Sequence, residues 1–193
     1  TPTSTVSGAT FAWTRAVITN ISNPSSFGTG AINETLVNTS TTPLSVVYTY
    51  TITTPQGCEN TDTVTVIVNP LPTLTSTLTP TAVCSGSTFL YTPQSSEVVT
   101  IAWSRASVIG IDEGSNSGTV FISEVLTNTT GTTIAVAYDL TVLTTGNGCS
   151  NVVTIFVDIE SAPSAATTIT GSDEVCAGST GNSYTVTAIP NAT

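Results

Sequence analysis

The sequence predicts an all-β chain of tandem β-sandwich repeats, and three observations carry that prediction. Phe11-Ala12-Trp13-Thr14-Arg15-Ala16 returns ninety positions later as Ile101-Ala102-Trp103-Ser104-Arg105-Ala106. Leu44, Val46, Tyr48, Tyr50 and Ile52 fall at every second position, as do Ile134, Val136, Tyr138, Leu140 and Val142. Period two with β-branched and aromatic residues marks a half-buried strand. Thr and Val, which suit a pleated surface, dominate throughout, and no apolar stripe recurs at helical spacing.

The repeat register runs well beyond the tryptophan. Glu34-Thr35-Leu36-Val37-Asn38-Thr39 answers Glu124-Val125-Leu126-Thr127-Asn128-Thr129, and Val46-Val47-Tyr48 answers Val136-Ala137-Tyr138. Gly57-Cys58 answers Gly148-Cys149 with one residue inserted, and Val83-Cys84-Ser85-Gly86-Ser87 answers Val175-Cys176-Ala177-Gly178-Ser179. Residues 63–68 and 152–159 read as the closing strand of each unit. Turns fall at Asn23-Pro24, Gly28 to Gly30, Pro55-Gln56-Gly57, Gly114 to Gly118 and Gly146-Asn147-Gly148.

A period of about ninety residues, with some seven strands and one core Trp, predicts an immunoglobulin-like sandwich. The expected organisation is a partial repeat at 1–69 without its opening strands, a complete repeat at 70–160, and the start of a third at 161–193. The expectation is therefore a stretch of a longer protein. Asn69-Pro70-Leu71-Pro72 and Glu160-Ser161-Ala162-Pro163 would link the units as stiff hinges, making an elongated rod.

Composition narrows the chemistry. The chain carries 12 acids and 2 basic residues, a formal net charge of −10, and no His, Lys or Met. Nucleic acid and anionic membranes need Lys and Arg to neutralise phosphates, so both are excluded as partners. Without His there is no Ser-His-Asp or Cys-His catalysis, and without Lys no Schiff base. Paired carboxylates would have to serve alone, and the acids are scattered; the chain reads as a non-enzyme. It contains no apolar membrane span.

Four groups of residues stand out. Arg15 precedes Glu34 by nineteen positions, and Arg105 precedes Glu124 by the same interval. A structural ion pair beside the core Trp explains that co-occurrence better than a ligand-binding guanidinium, and breaking it would cost ~3–5 kcal/mol if buried. Trp13 and Trp103 sit in alternating segments, which favours the core over a sugar-stacking platform; Tyr48 and Tyr138 join them there. Of the four cysteines, Cys84 and Cys149 lie in one complete repeat and are expected to form a disulfide worth ~4 kcal/mol by chain-entropy reasoning, in an oxidising compartment. Cys58 and Cys176 would pair outside the sequence. That bond requires Cys84 to lie along a strand. The acids Asp112, Glu113, Asp158, Glu160, Asp173 and Glu174 are read as solvated surface charge; Ca²⁺ at the junctions is the weaker reading, because no ligand run has calcium-loop spacing.

Taken as an ordered set, these motifs resemble the PKD-like or immunoglobulin-like repeats of Bacteroidetes cell-surface proteins. The carrying residues are Val83 to Ser87, Trp103-Ser104-Arg105, Glu124 to Thr129, Tyr138, Gly148-Cys149 and the closing Val68-Asn69-Pro70. The second unit departs from the pattern, closing on Val157-Asp158-Ile159 instead of Val-Asn-Pro. The resemblance implies export by the type IX secretion system, an outer-surface location, and a stalk role in long proteins such as gliding-motility adhesins of the SprB type. It also implies O-glycosylation at Asp-Ser/Thr followed by an apolar residue, which Asp62-Thr63-Val64 fits, so Thr63 is the candidate. The Asn-x-Ser/Thr sequons at Asn20, Asn33, Asn38, Asn128 and Asn191 are read as accidents of a Thr-rich chain.

The leading function is a structural repeat of a surface adhesin or filament, whose partners are neighbouring repeats of the same chain and other surface or secretion components. A carbohydrate- or protein-binding module is the alternative, with Tyr91, Phe27 and Phe121 as candidate contacts; a spacer in a secreted hydrolase is another. Thr-rich edge strands without Lys also leave room for self-assembly.

Overall fold

The computed structural model describes residues 1–163 and 168–186, and among these it contains strands and no helix. By Cα proximity the chain divides into two compact units, Thr1–Pro72 with Thr144–Ser150, and Thr73–Leu143 with Asn151–Thr193.

In the first unit β1 (Thr10–Arg15), β2 (Ser26–Thr29), β3 (Leu44–Thr53) and β4 (Glu59–Val68) form one sheet in the order β2-β1-β3-β4. The alternation in β3 does what its period requires. Val46, Tyr48 and Tyr50 are buried on one face with Trp13, while Ser45 and Val47 point outward. β4 starts earlier than the apolar pattern suggests, at Glu59 instead of Thr63. The tight turn before it, closed by Thr54 N–H donating to the Cys58 carbonyl at 2.9 Å, brings Glu59 opposite Thr53 and extends the ladder into polar sequence. β11 of the second unit likewise starts at Ser150 instead of Val152.

The sandwich of the second unit is built from the described strands β5 (Val83–Cys84), β6 (Thr88–Tyr91), β7 (Val99–Arg105), β8 (Asn116–Thr119), β9 (Ile122–Val125), β10 (Ile134–Thr144) and β11 (Ser150–Glu160). Five of them form a sheet in the order β5-β11-β10-β7-β8, and β6 pairs with β9. Between the two sheets lies an apolar core that includes Phe89, Tyr91, Trp103, Ile122, Leu126 and Tyr138, with Val136, Leu140, Ile155, Val157 and Ile159 from the long hairpin. This is a β-sandwich, as the sequence predicts. Its opening strand β5 runs parallel to its closing strand β11, Val83 beside Ile159 and Cys84 beside Glu160. β12 (Ile169–Thr170) and β13 (Thr185–Val186) follow in sequence and pair with each other.

That parallel register overturns the expected disulfide. Cys84 and Cys149 are both free thiols. Cys84 does lie on a strand, but beside Glu160, the last residue of β11, whereas Cys149 immediately precedes the first residue of the same strand. At about 3.3 Å per residue the length of β11 separates them by roughly 35 Å. A disulfide needs Cα atoms within about 7 Å. Cys58 and Cys176 are exposed free thiols.

Candidate functional site

The two arginines are the most informative side chains, because a chain with so few cations has buried both. Each ends its strand, β1 or β7, on the face that carries the Trp two residues earlier, so alternation points both inward. Arg105 donates from Nε to Glu124 Oε2 and from Nη2 to Glu124 Oε1, both at 3.0 Å, a bidentate pair. Its remaining donors reach the carbonyls of Gly114 at 2.8 Å, Ala106 at 3.3 Å and Glu113 at 3.4 Å. Glu124 also accepts from Tyr138 Oη at 2.6 Å and from Asn116 Nδ2 at 2.8 Å. The charged pair is thus enclosed by donors and acceptors, the condition under which a buried ion pair is tolerated.

The first unit repeats this geometry. Arg15 donates to Glu34 at 2.9 and 3.0 Å and to the Pro24 carbonyl at 2.7 Å, and Tyr48 Oη donates to Glu34 Oε2 at 2.7 Å. Ser26 stands where the second unit has Asn116. The guanidinium of Arg15 is the main reason the Glu34 carboxyl is lowered to about 2. Burial works against ionisation of Glu124, but the hydrogen bonds from Arg105, Tyr138 and Asn116 outweigh it and keep its pKa below the usual carboxylate range. Burial, and next the carboxylate each faces, raise the two tyrosines, Tyr48 to about 12.

Each tryptophan packs edge-on to the tyrosine of its cluster, with ring centroids 5.7 Å apart for Trp13–Tyr48 and 5.8 Å for Trp103–Tyr138. Trp103 Nε1 donates to the Phe121 carbonyl at 2.9 Å. Trp13 Nε1 is buried with no hydrogen-bond acceptor. Two residues invisible to a charge-and-aromatic reading make room for the rings. A Cβ on Gly28 would lie 2.7 Å from Trp13 Cζ2, and one on Gly118 would lie 2.8 Å from Trp103 Cζ2. Their recurrence at the ninety-residue offset was the available signal.

Asn38 and Asn128, repeat positions and sequons in the sequence, are buried amides in the structure. Asn128 Nδ2 donates to the carbonyls of Thr132 at 2.7 Å and Ile159 at 2.8 Å, while its Oδ1 accepts from the Thr130 backbone and hydroxyl. Asn38 does the same with Thr42, Val68 and Ser40. Both amides are buried and committed, so these two sequons present no nitrogen for a glycan; Asn20 and Asn33 are exposed, and Asn191 lies outside the described residues.

The other residues singled out in the sequence do not converge. Tyr91 is buried, its hydroxyl at 2.7 Å from Ser76 Oγ and donating to the Thr77 carbonyl. Phe27 and Phe121 are exposed, but their repeat counterparts are Ser117 and Ala31, so neither belongs to a recurring aromatic surface. Glu113 accepts from the backbone and hydroxyl of Thr127 at 2.8 and 2.9 Å, which pins the loop after β7. Among the described residues no three acidic, Cys or His side chains gather as a metal site. Thr63 is exposed on β4, its N–H donating to Asp62 Oδ1 at 2.7 Å.

A first unit of this sheet order, closed around Trp, Arg, Glu and Tyr, can be set beside known families. Residues 1–72 match the family model of the PKD-like domain. Modules of this PKD-like kind are generally extracellular and non-catalytic. The second unit, outside the matched residues, carries the same Arg–Glu pair at the ninety-residue offset. No curated protein matches the chain. No helix among the described residues is long and apolar enough to cross a membrane.

Proposed function

We propose that the chain is a structural region of a long cell-surface adhesin or filament, a stiff stalk of PKD-like repeats that presents distal adhesive parts. The observation that supports this reading most is the fate of the recognition-competent side chains. Both Arg, both Trp and Tyr48, Tyr91 and Tyr138 are spent inside the sandwiches. A binding module would carry such residues at its surface. The exposed apolar side chains that remain, such as Phe27, Ile109 and Phe121, do not recur as an aromatic surface from unit to unit. Each Arg–Glu pair ties the β1 or β7 strand to the chain segment over the opposite face, so pulling on the unit must break a buried charge pair before the layers part. Gliding motility, type IX export and glycosylation at Thr63 belong to this same proposal.

Single-molecule stretching of the chain between inert handles tests it. The expected record is a discrete unfolding peak for the second unit that weakens markedly in Glu124→Gln. A unit that unfolds without measurable force, or specific glycan binding that competes with Trp fluorescence, would instead favour the binding-module reading.

A further inference from the structure

The loop between β10 and β11 holds the chain's only Asn-Gly step, Asn147-Gly148. Its backbone requires that glycine. Gly148 sits at φ 72°, in the left-handed region that a residue with a Cβ enters only under strain. A side chain at this position would hinder the Gly148 nitrogen from approaching the amide carbon of Asn147, and glycine has none. The hairpin therefore demands the residue that leaves its own asparagine open to attack.

The hydrogen bonds of the turn favour that attack. Asn147 Oδ1 accepts from the Cys149 N–H at 3.1 Å and from the Thr144 hydroxyl. The hydroxyl also faces the Cys149 carbonyl at 3.1 Å, but Asn147 is the nearer acceptor for its one hydrogen. Thr144 is buried, so its hydroxyl is held in place, while Asn147 and Gly148 are exposed to water. Two donors on Oδ1 polarise the amide carbon and stabilise the negative charge that grows on this oxygen as a nucleophile adds, as an oxyanion hole does. The nucleophile is only loosely tied. Gly148 N–H reaches the Thr144 carbonyl at 3.3 Å, against 2.9 Å for Gly57 N–H to Thr54 in the first unit.

The first unit is an internal control. Its hairpin carries the same Gly-Cys, with Gly57 at φ 84°, but Gln56 precedes the glycine. The extra methylene makes the ring that closure would form one atom larger and slower to close. Asn182, before Ser183, is a second control, exposed and with its Nδ2 donating to Ser179 Oγ at 3.2 Å.

We propose that Asn147 is a self-modification site, which the folded turn converts to aspartate and isoaspartate with water as the only co-reactant. The Gly148 nitrogen gives up its proton and bonds to Asn147 Cγ. The Cγ–Nδ2 bond breaks, and the amide group leaves with that proton as ammonia. One water then opens the cyclic imide at either carbonyl. Opening at one restores the main chain with an aspartate; opening at the other gives isoaspartate, whose main chain runs through the former side chain. Either product adds one negative charge to a chain of formal net charge −10. Isoaspartate also lengthens the turn that Thr144 N–H closes onto the Cys149 carbonyl at 2.9 Å, in the hairpin that carries Leu140 and Ile155 into the core. The proposal holds whether or not the repeats serve as a stalk.

Ageing the full chain in mildly alkaline buffer made with heavy-oxygen water, followed by peptide mapping, tests it. The expected result is loss of ammonia and then gain of one heavy oxygen at Asn147, faster as the pH rises, well ahead of any change at Gln56 or Asn182. Thr144→Val should slow the conversion several-fold in the folded chain and leave it unchanged in urea. Thr144→Ser, which keeps the hydroxyl, should convert at the wild-type rate. An Asn147 that stays an amide while Asn182 converts would overturn the proposal. So would a Thr144→Val chain, folded by Trp103 fluorescence, that converts as fast as wild type, or a wild-type chain that converts no faster folded than in urea.

Discussion

Tyr138 donates its hydroxyl to Glu124 Oε2 at 2.6 Å, across the gap between the two sheets of the second unit. Glu124 thereby satisfies a cation from β7 and a phenol from β10 at once. Removing the carboxylate orphans both. Glu124→Ala should therefore destabilise the second unit by ~3–5 kcal/mol, whereas Arg105→Met combined with Glu124→Leu should come close to wild type. Urea unfolding followed by Trp103 fluorescence distinguishes the two.

The pH dependence follows from the same clusters. The Glu34 carboxyl is lowered from 4.5 to about 2 in the folded state, so its contribution is complete above 4.5 and disappears as the pH falls through 2. Tyr48 is raised from 10.0 to about 12, so its contribution is complete below 10 and disappears as the pH rises toward 12. Urea midpoints should be flat between these limits and fall on both sides. Glu34→Gln should remove most of the acid limb for the first unit.

Gly118 lies against the Trp103 indole, 2.8 Å from where a Cβ would sit to Cζ2. Gly118→Ala should push the ring, weaken its bond to the Phe121 carbonyl and cost ~1–3 kcal/mol. A drop in melting temperature with a red-shifted Trp103 emission is the expected signature.

Val120 adopts φ 71°, where its counterpart in the first unit is Gly30 at φ 70°. A β-branched residue is strained there and glycine is not. Val120 is largely exposed, so little packing is lost on truncation. Val120→Gly should raise the stability of the second unit by ~1 kcal/mol, measured as a higher urea midpoint with an unchanged slope.

Cys84 and Cys149 lie at opposite ends of β11. Replacing both with Ser should change stability by less than ~0.5 kcal/mol, as for other surface substitutions. Non-reducing peptide mapping should find no crosslink between them.

Much of this was legible without coordinates. The alternation in β3 and β10 declared both the strands and the buried faces, because side-chain direction in a strand depends only on parity. The nineteen-residue interval shared by Arg15–Glu34 and Arg105–Glu124 announced a pair, because a lone buried cation cannot be tolerated twice. Gly28 and Gly118 read as turn residues in sequence but lie on β2 and β8 against the indoles: a glycine's role is the space it leaves, and that space belongs to a tryptophan more than a dozen residues away. Asn38 and Asn128 show in sequence only as repeat positions and sequons, for a similar reason: a buried amide is defined by the carbonyls it meets, and Val68 and Ile159 come to it from the far end of the unit.

The cysteines mark the boundary most clearly. Sequence alone determined the repeat, the strand faces and the identity of the buried cluster, since each depends on local spacing and on the chemistry of the residues themselves. It placed Cys84 and Cys149 in one repeat but carried no information on which pole each occupies. Only the tertiary structure decided that, through the parallel pairing of β5 with the end of β11. It also decided that Ile155 and Val157 of β11 are sealed beneath β5 and β6 of their own unit. Burial depends on whether a covering strand is in place, and a strand's own residues do not record that.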